Sequence, residues 1–257
     1  MSMARQVLSG SLLVVLSLVQ PLLLSALELQ LPVGPVEGLQ VVDGVYQFIG
    51  IPFALPPVGE RRFMPPEPHT GWTETSVQST NACIQTSKFF FAQMEQTTSE
   101  DCLYLNVYVP DDFQDPTKGP RPVLFYIHGG AFILGSSLTE LVTPNFTQFV
   151  RESGAIVVTT NYRLGAFGFL AHPGADAVSG NAGILDQKLA LQFVREHIAL
   201  FGGDADRITL FGNSAGAFSI CLHLELSRGL FKRAILSSPS CEFSFPSRSE
   251  GHVMAES

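Results

Sequence analysis

Apolar positions fall into two patterns along this chain. Short, nearly unbroken apolar runs predict strands buried on both faces of a sheet, and apolar residues at helical spacing predict helices that cover it. The strand-like runs are residues 103–109, 123–127, 155–160, 208–211 and 234–237, and the helix-like segments are 138–151, 182–200 and 215–226. Strands that alternate with helices favour a mostly parallel, doubly wound sheet, so we predict an α/β fold in one domain.

The segment before these runs has a different pattern. Asp43 and Gly44 separate the β-prone residues 36–42 from residues 45–49, and an Asp-Gly pair in that position is typical of a tight hairpin. The proline-rich stretch at 51–68 should be extended and irregular. A loop is expected over residues 161–180.

The N-terminus has the pattern of a cleaved secretory signal peptide. Arg5 supplies a positive charge, residues 12–24 form an apolar core, and small residues follow. An uncleaved membrane anchor is the alternative, but polar residues and a proline interrupt this core, which is too short to span a bilayer well. We therefore predict a signal peptide at residues 1–26, a domain over residues 27–257 and a secreted protein.

Composition narrows the class of partner. The chain is 46% hydrophobic and 15% charged, which suits a compact domain or part of one, and its net charge is -8 with no Lys/Arg run, which argues against nucleic acid. After residue 26 we find no apolar stretch long enough to span a membrane. The six histidines lack metal-ligand spacing, and no phosphate-binding glycine loop with lysine is present, so no metal or organic cofactor is expected.

Gly212-x-Ser214-x-Gly216 is the motif with the clearest chemistry. It lies between a predicted strand and a predicted helix, which is the context of a nucleophile elbow, a sharp turn that exposes a reactive serine. Glycines are needed there because the strand and the helix pass close to each other. The sequence therefore predicts Ser214 as a nucleophile.

His128-Gly129-Gly130 follows the predicted strand at 123–127. Glycines at such a strand end let backbone N–H groups approach a substrate oxygen, as in the oxyanion hole of hydrolases.

Two further features concern covalent modification. Cys83 and Cys102 bracket a polar segment, which in a secreted chain indicates a disulfide-closed loop, although two free buried thiols are the alternative. Asn145-Phe146-Thr147 is a sequon, so Asn145 is a candidate glycosylation site, with or without an attached glycan.

Several segments together resemble one known family. The chain resembles the N-terminal half of a type B carboxylesterase, the family that includes the cholinesterases, from about residue 34 to about residue 240. Residues 100–110 (EDCLYLNVYVP) match the cysteine-containing signature of that family, and residues 201–216 match its serine signature. Between them, residues 128–132, 161–170 and 180–187 are also similar to family blocks.

The resemblance implies a fold and a set of residue roles. It implies an α/β-hydrolase fold with a mostly parallel central sheet, here ending after the nucleophile strand, its helix and the next strand. Ser214 would be the nucleophile, and Gly129, Gly130 and Ala215 would supply the N–H groups of the oxyanion hole. The substrate would be a small carboxylic ester, and nothing indicates an oligomeric state.

Structural pairs also follow from the resemblance. Cys83 would pair with Cys102, and Arg62 would form a buried ion pair with Glu100. Cys241 lies where family members begin a second disulfide, so its partner would lie beyond the last residue. We expect Cys221 to be a buried free thiol.

Two departures from the family bear on specificity. Asn213 stands where the family usually has glutamate before the serine, which puts a preference for cationic substrates in doubt. Phe91 or Ala92 lies where cholinesterases hold a choline-binding tryptophan, and quaternary ammonium recognition needs such a ring. A cholinesterase is therefore not expected.

The acid and base that would complete a triad with Ser214 are not expected in this chain. In α/β-hydrolases they follow the serine in the order Asp/Glu, then His, and in this family both would lie beyond Ser257. His223 falls on the helix after the elbow and His128 in the oxyanion loop, so neither is expected to be the base. We therefore expect an ester hydrolase whose 257-residue chain is inactive by itself. The alternatives are a non-catalytic secreted or cell-surface adhesion or binding protein and an inactive truncated product.

Overall fold

An eight-stranded sheet organises the protein. The computed structural model describes residues 25–42, 44–75, 78–85, 97–139, 142–171, 180–238 and 241. The strands are β1 (Ser25–Leu31), β2 (Gly34–Val42), β3 (Val45–Pro52), β4 (Ala82–Cys83), β5 (Thr98–Ser99), β6 (Tyr104–Pro110), β7 (Arg121–Ile127), β8 (Ile156–Thr160), β9 (Gly203–Asn213) and β10 (Arg233–Ser237). Strands β4 and β5 pair separately, and the others form the large sheet in the order β1-β2-β3-β6-β8-β7-β9-β10.

The large sheet has a parallel half and an antiparallel half. Strands β8, β7, β9 and β10 pair in parallel, as the alternation of strands and helices predicts. Strands β1, β2, β3 and β6 extend the sheet by antiparallel pairing. The predicted hairpin is confirmed, because Val42 pairs with Val45 and Gly44 has a φ of 85°. Asp43 lies outside the described residues.

Among the described residues, four α-helices accompany the sheet: α1 (Thr147–Ser153), α2 (Gly165–Phe169), α3 (Ala182–His197) and α4 (Ala215–Leu226). Helices α3 and α4 lie where the sequence predicts them, and α3 continues as a short 3-10 segment, Ile198–Phe201. The sequence pattern over 138–151 predicts a helix with an irregular start because of Pro144, and α1 begins after that proline, at Thr147. The predicted loop at 161–180 contains the short helix α2.

The larger core cluster lies between the sheet and helix α3, and a smaller one packs helix α1 against the sheet. Every residue of β6 and β8 is buried, as expected for strands covered on both faces. Phe125, Ile156 and Leu210 are fully buried in the sheet and belong to one cluster with Leu191 and Val194 of α3. This core fixes the C-terminal ends of β7 and β9, where the sequence places its chemical motifs.

The disulfides agree with one prediction and correct another. Cys83 is bonded to Cys102, with a Cα–Cα distance of 4.9 Å, as predicted. Cys221 is bonded to Cys241, with a Cα–Cα distance of 5.5 Å, so the predictions of a free Cys221 and of a partner for Cys241 beyond the chain are wrong. The bond places Cys241 beside helix α4, a tertiary contact that neither cysteine's local sequence reveals.

The ion pair between Arg62 and Glu100 is present but not buried. Two guanidinium nitrogens of Arg62 bond the two carboxylate oxygens of Glu100 at 2.6 and 2.7 Å. The Arg62 side chain is 42% exposed and that of Glu100 23%, which corrects the prediction of burial. Such a pair orients the segment but contributes little to stability.

The predicted signal peptide lies almost wholly outside the described residues. The described chain begins at Ser25, the first residue of β1, so the predicted cleavage after Ala26 would fall within that strand. No helix within the described part of the chain is long and apolar enough to cross a membrane.

Candidate active site

Ser214 lies in a strained turn between strand β9 and helix α4. Its φ is 53° and its ψ is -121°, a conformation that side-chain-bearing residues rarely adopt. Its N–H donates to the carbonyl of Ser237 at the end of β10 (3.0 Å), and its carbonyl accepts from Phe218 in α4 (2.9 Å). The surrounding backbone therefore holds the strained conformation from both sides.

The two glycines of the motif are required by close packing. A Cβ on Gly212 would lie 2.5 Å from the carbonyl carbon of Gly216. A Cβ on Gly216 would lie 2.8 Å from the carbonyl carbon of Ile127 and 3.0 Å from the carbonyl oxygen of His128. Real Cβ atoms essentially never come closer than 3 Å to such backbone atoms, so only glycine fits at both positions.

The loop after strand β7 lies directly beside the elbow. A Cβ on Gly129 would be 2.8 Å from the carbonyl oxygen of Asn213 and 3.4 Å from Cβ of Ser214. The structure therefore brings Gly129 and Ser214 together, as the sequence predicts. Ser214 is half-buried, whereas its neighbour Asn213 is exposed.

Backbone donors near the serine have no acceptor within the described parts of the chain. The N–H groups of Gly129, Gly130 and Ala215 form no hydrogen bond there. The same is true of the N–H of Ala131, which sequence reasoning did not select. The sequence did not point to this donor, because the search for oxyanion donors relied on glycines and residue 131 is alanine.

Left-handed backbone shapes this loop. Gly130, Ala131 and Phe132 have φ values of 108°, 54° and 62°, and the carbonyl of Gly130 accepts from the N–H groups of Ile133 and Leu134 at 3.0 and 3.1 Å. The carbonyl of Phe132 accepts from Gly165 at the start of α2 (2.7 Å). Two consecutive non-glycine residues with positive φ store strain, which is common at functional sites.

His128 is buried beneath the loop. It is 1% exposed, its ring stacks on Tyr162 with centroids 4.3 Å apart, and its Nδ1 lies 2.7 Å from the carbonyl oxygen of Gly129. Burial lowers the pKa of His128 to about 4, so the ring is neutral at pH 7. The hydroxyl of Tyr162 donates to the backbone carbonyl of His128 at 2.9 Å.

His223 is buried inside helix α4 and engaged elsewhere. Its Nε2 lies 3.0 Å from Oε1 of Gln187, and its Nδ1 lies 2.9 Å from Oγ of Ser227. Burial lowers the pKa of His223 to about 4. Among the described residues, none forms a hydrogen bond with Oγ of Ser214, so neither His128 nor His223 is placed as its base.

A buried ion pair that sequence reasoning missed supports the neighbouring helices. Arg163 precedes α2 and donates from Nε and Nη2 to the two carboxylate oxygens of Asp186 in α3, at 2.8 and 2.7 Å. Both side chains are at most 3% exposed. The sequence offered a signal for this pair, because Arg163 lies in the family-like block 161–170 and Asp186 in the block 180–187.

The sequon is accessible. Asn145 is exposed, and its Oδ1 accepts from the N–H of Thr147 (3.0 Å) at the start of α1. Glycosylation of Asn145 remains a prediction. No group of three potential metal ligands occurs within the described ranges.

The profile of the carboxylesterase family matches residues 25–255. The chain belongs to the carboxylesterase family. Curated relatives include the juvenile hormone esterase of Tribolium castaneum, 44% identical over 212 residues, which are 80% of this chain and 34% of that protein. The acetylcholinesterase of Bungarus fasciatus is 41% identical over 227 residues, 82% of this chain and 36% of that protein.

Solved structures confirm the α/β-hydrolase fold. A carboxylesterase of Geobacillus stearothermophilus superposes with a TM-score of 0.78 at 40% identity, covering 89% of this chain and 48% of that one. A thermophilic PNB esterase gives a TM-score of 0.77 at 38% identity, with 89% and 47% covered. The chain thus spans about a third of the length of the curated relatives and about half of these structures.

Proposed function

We propose that this member of the carboxylesterase family hydrolyses carboxylic esters with Ser214 as its nucleophile. The observation that carries the proposal is the strained turn at Ser214 beside backbone donors without acceptors among the described residues. Oγ of Ser214 attacks the ester carbonyl carbon, the alcohol leaves, and water then hydrolyses the acyl-enzyme to release the acid. The juvenile hormone esterase and acetylcholinesterase relatives are esterases by name, which supports this reaction class.

The oxyanion that forms in this reaction would be held by backbone N–H groups. We propose Gly129, Gly130 and Ala215 as donors, with Ala131 as a further candidate. Gly129 flanks Ser214, and Ala215 follows it as the first residue of helix α4, whose N-terminal end favours negative charge. Donors that are already oriented stabilise the developing charge without reorganising during the reaction.

The general base and its acid partner are proposed to lie outside the described residues. Both ring nitrogens of His223 are engaged with other side chains, and His128 is sealed under the loop by Tyr162. The curated relatives extend over about three times the matched length, which leaves ample sequence for an acid and a histidine. The described residues would then supply the nucleophile and the oxyanion hole.

Neutral esters are the proposed substrates. Asn213, exposed next to Ser214, carries no charge that would attract a cationic alcohol group. The positions of Phe91 and Ala92, where the sequence predicts no choline-binding ring, lie outside the described residues.

An oxidising compartment is proposed for the protein. Disulfides such as Cys83–Cys102 and Cys221–Cys241 form and persist in the secretory pathway and outside the cell. This agrees with the predicted signal peptide at residues 1–26 and with an exposed Asn145 in a sequon.

The test compares the native protein, at its full native length, with the 257-residue chain. The native protein should hydrolyse p-nitrophenyl acetate, and Ser214→Ala should abolish this. The 257-residue chain should show at most the ~10³–10⁴-fold enhancement over water that an oxyanion hole supplies without its base. Folded native protein without Ser214-dependent turnover would favour the non-catalytic binding protein. Full turnover by the 257-residue chain would contradict the expectation that the acid and the base lie beyond Ser257.

A further inference from the structure

One buried polar ring is not used by the proposed mechanism. His128 lies within the apolar interior beside Tyr162. Burying its ring nitrogens there costs free energy unless they form hydrogen bonds, so its position calls for an explanation. The only hydrogen bond of its ring among the described residues joins Nδ1 to the carbonyl oxygen of Gly129 at 2.7 Å. Its Nε2 is buried without a partner in the same part of the chain.

The contact with Gly129 decides which nitrogen carries the proton. A carbonyl oxygen only accepts, so Nδ1 must be the donor. With the proton on Nε2 instead, two lone pairs would face each other at 2.7 Å, and Nε2–H would be a buried donor without an acceptor among the described residues. The neutral Nδ1–H tautomer is therefore the one that fits this site.

Fixing the carbonyl of Gly129 also fixes the N–H of Gly130. The two groups belong to the same planar trans peptide and point in opposite directions. Rotation of this peptide changes ψ of Gly129 and φ of Gly130, and glycine restricts neither angle through a Cβ. Of the peptides near Ser214, this one is therefore the least restrained by its own residues.

The surroundings of His128 hold the ring in place. Tyr162 stacks on one face and donates to the backbone carbonyl of His128. Gly135 approaches the Nδ1 edge of the ring so closely that a Cβ there would lie 2.6 Å from Nδ1 of His128 and 2.9 Å from the carbonyl oxygen of Gly129. The hydrogen bond is thus enclosed, and water cannot easily replace either partner.

We infer that His128 is a positioning residue, whose Nδ1–H holds the Gly129–Gly130 peptide so that the N–H of Gly130 faces away from the ring and serves the oxyanion hole. The inference rests on the proposed function for its catalytic consequence. The orientation of the peptide can be measured without it.

The experiment uses three variants. His128→Asn places an amide N–H near the position of Nδ1, His128→Leu removes the donor, and His223→Gln is a matched control at another buried histidine. Nuclear magnetic resonance gives the tautomer of His128 and the orientation of the Gly130 N–H vector in the 257-residue chain. Steady-state kinetics on p-nitrophenyl acetate, in the native-length protein, gives kcat and KM.

His128 should be protonated on Nδ1, and the Gly130 vector should reorient in His128→Leu but not in His128→Asn or His223→Gln. His128→Leu should lower kcat by ~10²-fold with little change in KM, the loss expected when one oxyanion donor is misplaced. His128→Asn should recover most of kcat, and His223→Gln should retain it. An Nε2–H tautomer, or a Gly130 vector unchanged by His128→Leu, overturns the inference. If the native protein has no Ser214-dependent turnover, the proposed function fails, and the vector alone decides the inference.

Discussion

Gly216, in the first turn of helix α4, packs directly on the carbonyl group of Ile127 at the end of strand β7. A Cβ on Gly216 would lie 2.8 Å from the carbonyl carbon of Ile127 and closer still to its oxygen. This contact brings the helix that follows Ser214 against the strand that leads into residues 128–132, the loop proposed to form the oxyanion hole. The relative position of Ser214 and the loop therefore depends on the absence of one side chain.

Gly216→Ala should destabilise the protein by about 3 kcal/mol, because neither backbone can move without displacing the core. Gly119→Ala is the control, since its Cβ meets nothing within 4 Å and only its φ of 65° is unfavourable. That variant should lose about 1 kcal/mol. Urea denaturation measures both, and equal losses in the two variants would contradict the packing argument.

Stability should fall in mild acid because His223 is buried as the neutral ring. Its pKa is lowered from 6.5 to about 4, so the unfolded state binds a proton in this range that the folded state does not. Stability is therefore lost as the pH falls from about 6.5 toward about 4, and His223 alone should account for about 2 kcal/mol between pH 7 and 4.5.

His223→Gln isolates this contribution, because its amide can still reach Gln187 but does not titrate. The loss of unfolding free energy between pH 7 and 4.5 should be smaller by about 2 kcal/mol in the variant. An identical pH dependence in wild type and variant would mean that His223 is not buried as described.

The two disulfides should differ in their resistance to reduction. Cys83 and Cys102 are at most 2% exposed, whereas Cys221 is partly buried and Cys241 is exposed. Because exchange requires a thiolate to reach the sulfur, increasing dithiothreitol should open Cys221–Cys241 first. Alkylation followed by peptide mass mapping reports the order.

Loss of either bridge should lower stability by about 3 kcal/mol, since the two close segments of similar length, with separations of 19 and 20 residues. A free Cys221 in the oxidised protein would contradict the pairing with Cys241 and restore the expectation drawn from the sequence.

Asn213→Asp should shift specificity toward cationic esters. A carboxylate next to Ser214 would attract a quaternary ammonium alcohol group by about 1 kcal/mol, the interaction expected at an exposed site. The ratio of kcat/KM for such an ester over its neutral tert-butyl isostere should rise about fivefold at low salt and less at high salt. Asn213→Gln, which adds no charge, should leave the ratio unchanged. A ratio unaffected by Asp would show that residue 213 does not face the alcohol group.

The sequence predicted the parts of the site that depend on backbone sterics. Gly212, Gly216 and Gly129 were selected from their spacing and strand context, and each lies where a Cβ would collide with another segment. Ala131 was missed because its N–H has no acceptor among the described residues as a result of its φ of 54°. An alanine in the sequence gives no indication of such a positive φ.

Features that depend on the tertiary path of the chain could not be predicted from the sequence. The bond between Cys221 and Cys241 joins two residues 20 positions apart that only the tertiary structure brings together. The exposure of Arg62 and Glu100 depends on which other segments cover that surface. The helix predicted over 138–151 begins only at Thr147, because Pro144 has no N–H and disfavours helical backbone in the residue before it. Thr143 donates instead from Oγ1 to the carbonyl of Ser136 at 2.7 Å.

Covalent labelling of the native protein tests the central claim most directly. A fluorophosphonate probe, which forms a stable ester only with an activated serine, should modify the folded protein once, and peptide mass mapping should place the adduct on Ser214. Ser214→Ala should abolish the adduct, and heat-unfolded protein should not react. A folded native protein that takes no label, or takes it on a different residue, would contradict Ser214 as the nucleophile of this carboxylesterase family member.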